Sequence, residues 1–161
     1  MTNKLIFVYG TLRTNGMFAF HMPPDSKMIL TELHGVQMYD LGTYPGLVRT
    51  DNRDDYVVGE IHDCSYLPDH EWNDLIFRLD LVENIKGGLF KRETIDTSYG
   101  DAIIYVVNRK EWFDEVHHRS PFTMYHDWAE LDPLVAKGVD YAKIRSKEFK
   151  IEKKETVAAK G

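Results

Sequence analysis

Short runs of β-branched and aromatic residues recur along the first two thirds of the chain, with turn-forming residues between them. The first run, residues 5–9, stops at Gly10-Thr11 and is typical of a mostly buried strand. The same pattern predicts strands at residues 36–41, 47–49, 56–64, 90–96 and 102–107. Because these strands are short and closely spaced, they favour a curved antiparallel sheet or small barrel over a doubly wound parallel sheet. Gly59, inside one run, indicates a bulge or a barrel bend.

One segment, after residue 68, has the periodicity of a helix. Asp69 is its candidate N-cap, and Gly87-Gly88 is the expected end. Four positions, spaced by four, three and four residues, share one face of this helix: Trp72, Ile76, Leu79 and Glu83. Beyond residue 112 the pattern is mixed and predicts two short helices, near residues 125–131 and 133–144. The chain is therefore predicted to be rich in β-structure, with two helical regions.

Glu83 is the most informative position, because it continues the apolar face of the predicted helix. Its carboxylate then points toward the core at the C-terminal end of the helix. Burial disfavours a charged carboxylate, and the negative end of the helix dipole disfavours it further, so both effects raise the pKa of Glu83. A raised pKa suits a general base or acid near neutral pH. Two other interpretations stay open: the side chain caps a neighbouring strand, or the helix frays and the side chain is solvated.

The end of the first predicted strand is the second candidate for chemistry. There a buried strand runs directly into Gly10 and Thr11. Backbone amides exposed at such a strand end bind a carboxylate or a developing oxyanion, and glycine allows close approach. The same two residues are also common in an ordinary turn, which is the alternative interpretation.

Composition and charge narrow the class of protein. The chain has 161 residues, 43% of them hydrophobic, which is typical of a globular protein with a real core. We expect one domain over residues 1–150 and a charged, flexible tail at residues 151–161. Its 20 Lys and Arg against 26 Asp and Glu give a net charge of −6, which disfavours a nucleic-acid partner. Without a membrane-length apolar run or a signal-like start, we expect a cytoplasmic protein that binds no membrane.

The remaining candidates for chemistry are one cysteine and several histidines. Cys64 stands alone, so an intrachain disulfide is excluded, and in a strand-like segment we expect it to fill the core rather than act as a nucleophile. The paired spacing of a zinc site is missing at His62, His117, His118 and His126. The glycine-rich and Gly-x-Ser-x-Gly patterns of nucleotide-cofactor enzymes and serine hydrolases are missing as well. We therefore predict no metal site and no cofactor.

Six segments, taken in order, resemble the γ-glutamylcyclotransferase-like family, in particular its γ-glutamylamine cyclotransferase and AIG2-like branch. They are residues 8–13 (VYGTLR), 44–48 (YPGLV), 58–61 (VGEI), 79–83 (LDLVE), 90–92 (FKR) and 102–106 (AIIYV). Each segment is weak alone, but the ordered set is fairly specific and covers about residues 4 to 108. Two positions depart from the family pattern: Asn84 stands where the family usually has glycine, and Phe90 where it usually has tyrosine.

The resemblance implies an α+β fold: a small, mixed, barrel-like sheet with one helix packed on it that carries Glu83. It also implies that the substrate-binding loop consists of Tyr9, Gly10, Thr11 and Leu12, and that Glu83 is the proton acceptor. The implied enzyme converts a γ-glutamyl amine or amino acid into 5-oxoproline and the free amine, without metal or cofactor. The alternative is a binding module that keeps the pocket and holds a small ligand without turnover. The implied partner is thus a small γ-glutamyl molecule.

Overall fold

The computed structural model describes residues 4–40, 44–50, 52–88, 90–108, 124–130 and 132–137. Its strands are β1 (Leu5–Val8), β2 (Lys27–His34), β3 (Val36–Asp40), β4 (Pro45–Arg49), β5 (Tyr56–Asp63), β6 (Phe90–Thr97), β7 (Gly100–Val107) and β8 (Met124–Tyr125). Its helices are α1 (Asp69–Val82) and α2 (Pro133–Lys137), and 3-10 turns lie at Ala19–His21, Ile85–Gly87 and Trp128–Glu130. Within these ranges, no helix is long and apolar enough to cross a membrane.

The strands form two sheets, and β1 lies at the centre of the larger one. Its order is β2-β5-β1-β7-β6, with β1 antiparallel to β5 and parallel to β7. The smaller sheet has the order β4-β3-β8. These sheets and the few helices confirm the α+β class, but not the barrel-like closure, because β2 and β6 remain edge strands among the described residues. The sheet stays open since β3 and β4 pair with each other, and β3 with β8, instead of extending the larger sheet.

Strand β1 is buried on both of its faces. Its side chains alternate between two cores, as the pleat of a strand requires. Leu5 and Phe7 belong to a cluster shared with β3 and β4, whereas Ile6 and Val8 belong to a cluster shared with α1. This double burial explains the unbroken apolar run that predicted the strand. It also anchors the loop that follows β1 between two packed layers.

The prediction of a bulge at Gly59 is wrong. Strand β5 keeps a continuous register with both neighbours, with Phe7 opposite Ile61 and Thr31 opposite Gly59. A Cβ atom at Gly59 would collide with the ring of Phe7. Glycine is needed here because an aromatic ring lies directly against the backbone, not because the strand bulges.

Helix α1 buries the expected apolar face, but its two ends differ from the prediction. Pro68, with extended backbone, is the N-cap, and Asp69 is already the first helical residue. The helix ends at Val82, before the glycines, because Asn84 adopts a left-handed backbone with φ of 54°. Asparagine tolerates this conformation better than most residues, so it ends the helix directly after Glu83.

Several other predictions fail or lie outside the described residues. Strand β2 is not predicted, because buried Thr31 and Glu32 interrupt its apolar residues. The helix predicted at residues 125–131 is wrong, since Tyr125 pairs with β3 and a 3-10 turn follows. Helix α2 covers the start of the helix predicted at 133–144. The structure does not describe the remaining positions named above: residues 41 and 131, residues 138–150, the tail at 151–161, His117 and His118.

Candidate active site

A cavity of about 370 Å³ opens where the ends of β1 and α1 meet the starts of β4 and β6. All five residues that the sequence and the family resemblance brought forward line this cavity: Tyr9, Gly10, Thr11, Leu12 and Glu83. The loop comes from the centre of the large sheet, and the carboxylate comes from the end of the helix packed on that sheet. The fold therefore places the two predicted components, far apart in sequence, around one space.

The loop after β1 is a tight turn with unpaired backbone donors. The amide of Arg13 donates to the carbonyl of Gly10 at 2.9 Å, and the amide of Phe18 donates to the carbonyl of Thr11 at 2.9 Å. The amides of Thr11 and Leu12 donate to no group in the described part of the chain. A Cβ atom at Gly10 would lie 2.5 Å from Cγ of Pro45, so only glycine fits. Unpaired adjacent amides of this kind bind anions.

Glu83 is the C-cap of α1, and its backbone amide donates to the carbonyl of Leu79 at 2.9 Å. Its side chain is partly buried and makes no hydrogen bond or ion pair within the ranges that the structure describes. Burial raises the pKa of Glu83 to about 7, the direction predicted from the sequence. The carboxylate caps none of the described strands. It therefore faces the cavity as an unpaired group that titrates near neutral pH.

Two tyrosine hydroxyls beside Glu83 already donate hydrogen bonds to other groups of the protein. Tyr9 donates to the carbonyl of Tyr105 at 2.6 Å, and Tyr105 donates to Oδ1 of Asp80 at 2.7 Å. Arg92 completes this chain by donating from Nη1 to Oδ2 of Asp80 at 2.6 Å. Burial and the negative charge of Glu83 raise the pKa of Tyr9. Burial and the hydrogen bond to Asp80 raise the pKa of Tyr105. Both phenols therefore stay protonated, which leaves Glu83 as the titrating group.

A second group of polar residues lies behind the loop, and the sequence analysis did not find it. Arg13 is fully buried, donating from Nε to Glu60 at 3.4 Å and from Nη1 to Asp127 at 2.6 Å. Thr14 donates to Oε1 of Glu60 from its amide at 2.9 Å and from its hydroxyl at 3.0 Å. Nη2 of Arg13 has no partner among the residues described. We call Arg13, Glu60 and Asp127 the Arg13 cluster.

His62 extends the Arg13 cluster toward the segment before β2. Its Nε2 lies 3.1 Å from Oε1 of Glu60, and its Nδ1 lies 3.0 Å from the hydroxyl of Ser26. Burial alone raises the pKa of Glu60, but the hydrogen bonds from His62 and Thr14 and the charge of Arg13 outweigh it and hold that pKa below its ordinary value. Glu60 is thus a structural group that is charged at neutral pH.

The described residues contain neither a group of side chains that could hold a metal ion nor a reactive thiol. No three His, Cys, Asp or Glu side chains there lie close enough together to hold a metal ion. Cys64 is fully buried, and burial raises the pKa of its thiol to about 12. A thiol with that pKa stays protonated and inert, as expected of a residue that fills the core.

The comparisons with known proteins agree with the fold and the cavity described above. The profile of the family described as gamma-glutamyl cyclotransferase, AIG2-like, matches residues 6–130. The chain therefore belongs to the gamma-glutamyl cyclotransferase, AIG2-like family. A Vibrio cholerae protein with the provisional name gamma-glutamylcyclotransferase is 31% identical over 129 residues, which are 78% of this chain and 96% of that protein.

A solved relative has the same fold. Protein YtfP from Escherichia coli is 26% identical to this chain in sequence. Its solution structure matches with a TM-score of 0.53, and the match covers 80% of this chain and 97% of YtfP. A crystal structure of an uncharacterized protein from Pyrococcus horikoshii has a TM-score of 0.57 at 18% identity, covering 80% of this chain and 92% of its own. At that identity the likeness concerns the fold alone.

Proposed function

We propose that this chain is a cyclotransferase that converts a γ-glutamyl amine or amino acid into 5-oxoproline and the free amine. The observation that carries the proposal is Glu83: a carboxylate without a partner in the described residues, with a pKa of about 7, in a cavity that it shares with the loop after β1. A buried acid without a partner costs stability, so a pocket that only binds carboxylates gains nothing from it.

The reaction is an intramolecular aminolysis. The α-amine of the γ-glutamyl group attacks its own γ-carbonyl, a new C–N bond closes the five-membered ring, and the bond to the leaving nitrogen breaks. Because an ammonium has no lone pair, Glu83 first takes a proton from the α-ammonium and delivers it to the departing nitrogen after the ring has closed. Glu83 then takes the second proton from the ring nitrogen and passes it to the released amine, which leaves as an ammonium. Protons and bonds balance without water, metal or redox partner.

The loop supplies the positioning that this reaction needs. In the proposal, the unpaired amides of Thr11 and Leu12 hold the substrate's carboxylate or the oxyanion that develops on the γ-carbonyl oxygen. Holding the curled conformer, in which amine and carbonyl already meet, removes much of the entropic barrier to ring closure. Gly10 supports this role, because the absence of a side chain there leaves room for Pro45 of β4 close to the turn.

A panel of γ-glutamyl compounds, assayed for 5-oxoproline, tests the proposed function. We expect product from at least one compound. At subsaturating substrate, kcat/KM is expected to climb from acid pH to a plateau above about pH 7, because Glu83 accepts a proton only when ionised. If no compound yields product at any pH while a carboxylate-bearing ligand still binds, the chain is a binding module and not an enzyme.

A further inference from the structure

The rim of the Glu83 cavity is apolar and partly open to solvent. Met17 is 59% exposed and Phe18 is 37% exposed, yet both line the cavity. Tyr44 and Phe90 line it as well, and their ring centroids lie 6.0 Å apart. Apolar side chains left exposed around a concave site mark the place where an apolar part of a ligand is buried.

The backbone holds these apolar side chains beside the anion-binding loop. Phe18 donates its amide to the carbonyl of Thr11 at 2.9 Å, and Gly16 donates to the carbonyl of Arg13 at 2.7 Å. The segment that carries Met17 and Phe18 is therefore folded back onto the loop after β1. The loop amides and the apolar side chains of Met17 and Phe18 therefore line the same cavity.

The charged groups of the cavity set a second constraint on the ligand. Among its described lining residues, Glu83 is the only carboxylate, and none is Lys, Arg or His. The nearby cation Arg92 already donates to Asp80 at 2.6 Å. The loop amides serve one carboxylate, which the γ-glutamyl unit itself supplies. A second carboxylate, on the leaving group, would therefore meet an apolar rim and a negatively charged Glu83.

We propose that the leaving group of the substrate is an apolar, preferably aromatic, amine without a carboxylate, bound against Met17, Phe18, Tyr44 and Phe90. This inference rests on the proposed cyclotransferase function and names the substrate class of the same site. The chemistry is unchanged: ring closure at the γ-carbonyl breaks the bond to the amine nitrogen, which leaves with the proton from Glu83. Met17 and Phe18 are then specificity-determining residues.

Three γ-glutamyl compounds that differ in one feature each test this inference. They are the amides of 2-phenylethylamine, of phenylalanine, which adds a carboxylate, and of ethylamine, which lacks the ring. We expect kcat/KM for the phenylethylamide to exceed each of the others by about tenfold or more, the effect of burying a phenyl ring. In Phe18→Ala, the ratio of kcat/KM for the phenylethylamide to that for the ethylamide is expected to fall about tenfold.

Matched variants separate specificity from folding. Phe20→Ala is the control, because Phe20 lies in the same segment but is 75% exposed and does not line the cavity. It is expected to keep the wild-type ratio. Met17→Ala repeats the test at a second, more exposed rim position, where truncation leaves the core untouched.

The outcomes distinguish the two proposals. If the phenylalanine compound or the ethylamide is the best substrate, or if the ratio does not change in Phe18→Ala and Met17→Ala, the inference about the leaving group is overturned and the cyclotransferase function stands. If none of the three compounds, nor any other γ-glutamyl compound, yields 5-oxoproline, the proposed function is overturned, and this inference with it.

Discussion

Glu83 and Glu60 are the same residue type in the same small fold, yet their environments push their pKa values in opposite directions. Glu83 has no partner within the described residues, and burial raises its pKa to about 7. Glu60 is more deeply buried, but Thr14, His62 and Arg13 donate to it and its pKa is lowered. Partners, rather than depth, therefore decide whether a buried carboxylate is charged.

This difference in pKa suits the two glutamates to different roles: Glu83 to proton transfer in the proposed reaction, and Glu60 to holding the fold together. A carboxylate that titrates near neutral pH exchanges protons readily, which is what the proposed ring closure requires. A carboxylate that is paired and charged at neutral pH is not suited to proton exchange there, but it fixes the segments that carry its partners. The Arg13 cluster ties the loop after β1 to β5 and to the turn at Asp127, so it holds the wall of the cavity that Glu83 faces.

The largest effect is expected from Glu83→Gln. This change keeps the shape of the side chain but removes the titrating group, so turnover should fall by roughly 10²- to 10⁴-fold, as is typical of lost general acid–base catalysis. Stability at neutral pH should not fall, because the side chain of Glu83 makes no ion pair or hydrogen bond with the described residues. The measurements are 5-oxoproline formation and the urea midpoint of unfolding.

Glu71→Gln is the matched control for that experiment. Glu71 lies in the first turn of the same helix and is exposed, so its replacement should leave turnover at the wild-type level. Turnover near wild type in Glu83→Gln would mean that another residue or water transfers the proton, and Glu83 would lose its proposed role.

The second largest effect is expected from Arg13→Met. Removing the cation leaves Glu60 and Asp127 buried without it, which costs about 3–5 kcal/mol of unfolding free energy. Arg49→Met is the control: the Arg49 pair with Glu93 is 48% and 25% exposed and contributes only about 0–1 kcal/mol. Denaturant unfolding measures both variants. Equal losses would show that the Arg13 cluster is no stronger than a surface pair.

The smallest effect is the pH dependence of stability, where the two glutamates should act with opposite sign. Above its usual pKa of 4.5, charged Glu60 stabilises the fold, so Glu60→Gln should be less stable than wild type at pH 7. Charged Glu83 is penalised by burial, so Glu83→Gln should be more stable than wild type above about pH 7.

Acidification should close both of these gaps, in different windows. The gap for Glu83→Gln should close between about pH 7 and its usual 4.5, as Glu83 is protonated in the fold. The gap for Glu60→Gln should begin to close only below pH 4.5, as the unfolded chain takes up the proton first. Unfolding free energies at a series of pH values check this, and gaps of the same sign would contradict the comparison.

The hydrophobic periodicity of the sequence predicts much of the fold and of the cavity, because the relevant strands and helix are buried in a regular pattern. Strand β1 is apolar on both faces, and α1 has a clear apolar stripe that ends in Glu83. The raised pKa of Glu83 follows from that placement alone. The open form of the sheet does not follow from periodicity, because it depends on which strands pair across loops.

Periodicity does not predict the Arg13 cluster either, because the cluster also depends on which strands pair. Its members come from separate segments, and only the antiparallel pairing of β1 with β5 and the bridge between Val58 and Asp127 bring them together. One signal was present: Glu60 is an acidic residue that interrupts the apolar run of β5 between Val58 and Ile61. Such a residue indicates a buried, paired charge, but the partner is not visible in the sequence.

The parallel pairing of β1 with β7 sets when the cavity comes into existence during synthesis. The Tyr9 hydroxyl and the Tyr105 carbonyl that it binds are 96 residues apart in the chain. An emerging polypeptide therefore holds the loop long before β7, whereas Glu83 precedes the start of β7 by only 17 residues, and β7 must leave the ribosome to complete the centre of the sheet. A fragment cut before Gly100 contains both proposed functional elements and lacks the strand that fixes them, so we expect it to lack the proposed activity.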